Sequence, residues 1–392
     1  EKPNPQFMEN ENNSNNNNAT GGVAPPELQF EDQIFDICFH PQQDFIGVGL
    51  ITGEVKFYQY SANGNQIGHD LKPHKQACRS IQFSADGRYM ITCSSDASIK
   101  AIDLNTGQIV YTEKRAHEAA VNRITPYLEN MLISGDDDGE VKLWDLRQRK
   151  ATFTWKEHED YIADFAVASN HQLLVAGGDG YLSCLNLKKG TLQARSDNME
   201  EDLLSIQIIK NGKKVVVGTG EGVIAIWSWG FWGDCDDRFI GHPHSVETMV
   251  ALDEDTLCTG SSDGFIRLCS IHPNTFINII GEHPDFPVEK LALARNKKIL
   301  GSCSHDQTVK FWNIENLFTD ESCTAVKPSI KEKGFEMPAT QAPEEDEEDM
   351  EGSDSDSDSD DMEQESKSKK GKPIKKLDAN QLKQQDFFKG LM

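Results

Sequence analysis

The sequence predicts an all-β chain folded as a seven-bladed β-propeller with disordered tails at both ends. Three columns of residues carry that expectation. Seven apolar segments end in a common pattern, and their fourth residues are Tyr58, Ile102, Trp144, Leu185, Trp227, Cys269 and Trp312. The steps between them are 44, 42, 41, 42, 42 and 43 residues. Six positions before each stands Thr52, Asp96, Asp138, Asp179, Glu221, Asp263 or Asp306, and Gly follows five of these as Gly53, Gly139, Gly180, Gly222 and Gly264. An acid and a Gly between two apolar runs mark a tight hairpin, because Gly adopts positive φ without steric cost. The third column is His74, His117, His158, His242 and His283, absent before the first and fifth repeats.

The elements follow in order. Residues 1–26 are polar and Asn-rich, with too little apolar surface to offset ordering entropy, and are expected to be disordered. A propeller is expected over 27–318. Within it, repeat three offers strands near 121–126, 131–135 and 140–146, and repeat five near 204–209, 214–218 and 223–227. The middle runs Tyr89-Met90-Ile91-Thr92, Leu173-Leu174-Val175-Ala176 and Val215-Val216-Val217 show little polar alternation, as befits sheets covered on both faces by neighbours. After Asn313 the chain offers no outer strand for the last blade. Glu27-Leu28-Gln29-Phe30 alternates polar with apolar, and it is expected to supply that strand and clasp the ring. Residues 319–343 read as a linker and 344–365 as an acidic low-complexity tract. Residues 366–392 read as a basic tail with Leu382, Phe387, Phe388 and Leu391 at helix-like spacing.

A period of about 40–45 residues with segments ending in Trp-Asp resembles the WD40 repeat. That resemblance implies that Asp96, Asp138, Asp179, Asp263 and Asp306 bond His74, His117, His158, His242 and His283 as structural pairs. One copy per blade is what a repeating scaffold needs, and a reaction centre needs only one. No phosphate-binding Gly-Lys loop, nucleophile elbow or His-Glu-x-x-His stands in the sequence, so no catalytic residue, metal or cofactor is expected.

The nine cysteines are scattered, odd in number and without a Cys-x-x-Cys pair, which points to reduced core thiols. No apolar stretch approaches the ~18 residues of a membrane span. Net charge is −25, with fourteen acids and no base in 344–365 and eight Lys against two Asp in 366–392, leaving −17 for residues 1–343. An acidic body disfavours direct nucleic-acid binding and favours basic protein partners.

Four groups of residues stand out as candidates. Trp227-Ser228-Trp229-Gly230-Phe231-Trp232-Gly233 holds three of the six Trp within six residues. Trp229, Phe231 and Trp232 read either as an exposed interface anchor rimmed by acids or as packing in a wide gap between outer strands. Residues 132–147 resemble the box by which many WD40 proteins dock onto the damaged-DNA-binding adaptor of cullin–RING ubiquitin ligases. The resemblance places Trp144 and Asp145 in that box, with Arg147 as the reaching cation. Ser353, Ser355, Ser357 and Ser359 each precede an acid, as acidophilic-kinase phosphorylation sites do. Lys367, Lys369, Lys370, Lys372, Lys375 and Lys376 form a basic run of the kind import receptors grip.

A narrower resemblance rests on 227–239, on 257–267, on 304–312, and on the acidic tract, lysines and Phe387-Phe388-Lys389-Gly390-Leu391 ending. Together these are similar to the WD repeat-containing protein 55 family. The resemblance implies a nucleolar, non-enzymatic scaffold in ribosomal RNA production and ribosome biogenesis. Its partners would be ribosomal proteins or assembly factors. The box at 132–147 carries the rival implication, a substrate receptor of a cullin–RING ligase.

Overall fold

The computed structural model describes residues 24–318, an all-β ring of seven four-stranded antiparallel sheets. Blades one to six span 34–71, 78–113, 121–156, 162–195, 203–240 and 246–282, each running from the inner strand outward. Blade seven joins 288–313 to the two-residue strand Leu28–Gln29 as its outermost member. The clasp expected at residues 27–30 is therefore present: Leu28 pairs with Val309, Gln29 with Thr308, and Phe30 N–H donates to Gln307 O at 2.9 Å.

The second strand of each blade is the most deeply buried. Leu173–Ala176 and Val215–Val217 are fully covered because each sheet is sandwiched between its neighbours. The interblade layers close back from blade seven to blade one. Phe39 lies 6.3 Å from Phe311, and Tyr60 stacks on Phe311 at 5.7 Å. Inner strands also bond across blades. The buried Asp36 accepts the Ile81 N–H at 2.8 Å, Ser205 Oγ donates to Val246 O at 3.0 Å, and Leu291 N–H donates to Thr248 Oγ1 at 3.1 Å.

The up-and-down order of strands sorts the connections. Loops joining second to third strands, and each blade to the next, emerge on one face. Loops joining first to second and third to fourth strands emerge on the other. The turn glycines belong to the first face. Gly53 has φ +80°, and a Cβ there would stand 2.6 Å from the His74 carbonyl oxygen of the following loop, so the turn and the His-bearing loop require each other. All eight described cysteines are free thiols, and Cys323 lies outside the described residues.

Candidate docking faces and the polar network beneath them

Below the first face, five histidines each tie one interblade loop to the blade it enters. In blade seven, His283 Nδ1 is 2.7 Å from Asp306 Oδ2, and Nε2 is 2.7 Å from Ser302 Oγ. Trp312 Nε1–H in turn donates to that serine at 2.8 Å. A carboxylate only accepts, so Nδ1 carries the proton, and the serine, already an acceptor for Trp312, directs its own proton to Nε2. Blade four places His158 3.0 Å from Asp179 and 2.6 Å from Ser183. In blade two, His74 is 3.5 Å from Asp96, 3.0 Å from Ser98 Oγ and 2.8 Å from Thr92 Oγ1. Burial holds its imidazole at about 4, well below an ordinary histidine.

Two of the expected pairs are not made. In blade three, His117 Nδ1 meets Asp136 at 3.0 Å, while Asp138 turns outward and its N–H donates to Asp136 at 3.1 Å. In blade six, Asp263 is held by Arg267 through two bonds of 3.0 and 2.6 Å. His242 keeps only its Nε2 contact to Thr259 at 2.9 Å, and its buried Nδ1 has no partner. Phe239 and Phe276 pack around that ring instead. Burial, then the charge of Arg267, lowers its pKa to about 4.

Among the described residues one grouping has metal-ligand spacing: His117, Asp136 and Glu140. Lys142 Nζ lies 2.6 Å from Glu140 and supplies the positive charge there. His117 Nε2 is engaged by Ser134 at 2.6 Å. The grouping is a hydrogen-bond network and does not fit an ion.

The two faces differ sharply in charge. The connections on the His-bearing face hold nineteen acids against four bases, a net of −15. Those on the opposite face hold eight acids against ten bases, a net of +2. The acidity is concentrated over 137–139, 157–161, 178–181, 196–202 and 220–222, where every charge is negative and the sum is −11. Arg79 borders this sector but is spent on Asp137 at 2.9 Å. With Asn122, Asp160 and Tyr161 these two line an open depression of about 470 Å³. The Tyr161 hydroxyl donates to Asp202 at 3.0 Å, which fixes one acid-bearing loop to the next.

The aromatic candidates separate on the opposite face. Trp232 is buried at 8 % exposure and packs edge-on against the partly buried Trp229, with centroids 5.1 Å apart. Trp227 Nε1–H donates to Gly233 O at 3.2 Å. Trp232 is therefore packing between outer strands, the second of the two readings its sequence context left open, and is no exposed anchor. Phe231 alone projects, at 73 % exposure. In the adaptor-like box, Trp144 is buried with its Nε1–H on Ser134, and Asp145 is buried. Arg147 is exposed but folded back, its Nε and Nη2 each donating to Asp145 at 3.1 Å. That pairing holds the Asp145 carboxyl down at about 2. The phosphorylation candidates Ser353, Ser355, Ser357 and Ser359 and the lysine run from Lys367 to Lys376 lie outside the described residues.

Sequence reading missed Asp136, Arg267 and Glu289. The signal for the first two was present: a run of three acids at 136–138, and an Arg four residues after an acid. Nothing in the sequence marks Glu289, whose carboxyl is pushed up to about 7 by burial and by Glu247.

The family described as WDR55 matches residues 25–317. The WD repeat-containing protein 55 of Arabidopsis thaliana is 42 % identical over 294 residues, 74 % of this chain and 83 % of that protein. The homolog of that protein in Dictyostelium discoideum is 36 % identical, over 76 % of this chain and 73 % of its own length. The Drosophila persimilis homolog is 35 % identical over 81 % of this chain, which spans 64 % of that longer protein.

Proposed function

The chain belongs to the WD repeat-containing protein 55 family, and from that premise we propose that it is a nucleolar scaffold in ribosome biogenesis. Its acidic face gathers basic ribosomal proteins or assembly factors. The observation that carries this reading is the contrast between a net of −15 on one face and +2 on the other. Partners rich in Lys and Arg would be steered to one side of the ring, and phosphate backbones repelled from it. The acidic tract and the lysine run fit the same setting, as phosphorylated tail and import signal.

The test is binding of a purified basic ribosomal protein to the full chain. The triple variant Glu200→Lys, Glu201→Lys, Asp202→Lys should weaken it at least tenfold, and wild-type affinity should fall as salt rises. Equal affinity for variant and wild type would overturn the reading. Removing 366–376 should disperse the tagged protein from the nucleolus.

The second reading, a receptor docking on a cullin–RING adaptor, draws support from the exposure of Arg147 on the opposite face. It predicts that Arg147→Ala abolishes adaptor co-purification. The scaffold reading predicts that the same variant leaves pre-rRNA levels unchanged.

A further inference from the structure

We propose that Phe231 anchors a second protein partner on the face opposite the acidic one, so that the ring can hold two partners at once. The loop that carries it is unlike its equivalents. The connections between third and fourth strands in blades two, three, four and six have four residues each, whereas blade five uses eight, 229–236.

The added length is tightly fixed. Trp229 N–H donates to Lys213 O at 2.8 Å, Phe231 N–H to Ser228 O at 3.0 Å, and Asp236 N–H to Ile226 O at 2.8 Å. Lys214 Nζ bridges Ser228 Oγ and Asp236 at 2.8 and 2.9 Å. Trp229 and Trp232 fill the space beneath, yet the Phe231 ring is left in solvent. Rigid support under an exposed aromatic removes most of the ordering cost that a flexible anchor would incur on binding. Aromatic anchors of this kind dominate protein interfaces.

The surrounding charge selects the class of partner. On one side lie the connections 146–149 and 187–190, with four bases and no acid, while Lys210 of 210–213 is paired with Asp255. On the other lie 229–236 itself and 252–255, with five acids and no base. Phe231 stands at the boundary. A nucleic acid would be repelled by half of this surface. The fitting partner is a protein with an apolar pocket flanked by acids on one side and bases on the other, which also fixes a single orientation.

The experiment places a photo-crosslinking phenylalanine analogue at position 231 of the full chain in cells. A control carries it at Ile67, an exposed residue on the outer strand of blade one. A protein captured at 231 and not at 67 is then purified and its affinity measured. Phe231→Ser should weaken that affinity by about 30-fold, as loss of a hot-spot aromatic does. Phe231→Tyr should hold it within about threefold, since the added hydroxyl keeps the aromatic surface. Binding of the basic ribosomal protein to the acidic face should be unchanged in both variants. The proposal falls if positions 231 and 67 capture the same proteins. It also falls if Phe231→Ser binds the captured protein as wild type does, or if that variant unfolds several degrees earlier. Failure here would leave the acidic-face reading standing, because that reading is measured with a different ligand.

Discussion

His117 Nδ1 lies 3.0 Å from the carboxylate of Asp136, although Asp138 is the residue in register with the acids of the other blades. Asp136 is 1 % exposed and also accepts the N–H groups of Asp138 and Glu140 at 3.1 and 2.7 Å. Three bonds to a buried carboxylate make it the keystone of the turn. Asp136→Ala should therefore cost roughly 3 kcal/mol in urea unfolding, leaving buried donors without an acceptor. Asp138→Ala should cost about 0.5 kcal/mol or less. Equal losses would show that the repeat position, and not the bonding, sets the role.

Trp232→Ala should destabilise the ring by about 3–5 kcal/mol, the usual loss for emptying a buried aromatic site. Phe231→Ser should leave the unfolding midpoint where it was, since its ring is already in water. Chemical denaturation of the two variants side by side separates packing from docking within one loop.

Removing residues 1–33 strips blade seven of its outer strand and exposes the edge of Thr308–Asn313. It also removes Leu28, buried at 8 % exposure, and Phe30, whose ring lies edge-on to Tyr58 at 5.9 Å. The loss should be about 3 kcal/mol or more, judged from burial of one to two large apolar side chains. Removing only 1–23 should leave the melting temperature unchanged. Matching melting curves for the two truncations would refute the clasp as a source of stability.

Glu289 gives a pH dependence with a definite sign. Burial and Glu247 push its carboxyl up to about 7 against the opposing charge of Arg123, and His305 Nε2 lies 3.0 Å away. The folded chain thus binds a proton that the unfolded chain has already released between about pH 4.3 and 7. Stability from this group falls as pH rises through that window. Glu289→Gln should match wild type at pH 5 and exceed it at pH 8 by on the order of 2 kcal/mol. Thermal unfolding at the two pH values checks this, and an identical difference at both would refute it.

The repeat columns make most of the fold legible in the sequence. The clasp at Leu28–Gln29 followed from a missing outer strand and an alternating tetrapeptide. The His–acid pairs at Asp96, Asp179 and Asp306 are those that the resemblance to the WD40 repeat implied. Blades three and six departed from the columns where a competitor stood nearby. Asp136 had the shorter path to His117, and Arg267 took Asp263 from His242. Sequence spacing cannot weigh two candidate partners, because the outcome depends on side-chain directions that the folded backbone sets.

The sequence by itself determined the number of sheets and their closure into a ring. Each repeat encodes one sheet with two apolar faces, and only neighbouring sheets can bury both. The tertiary structure alone decided which loops share a face, which of three clustered aromatics reaches water, and which acid meets each histidine. Those outcomes depend on where strands end and how outer strands are spaced, and both are fixed by contacts between residues about forty positions apart.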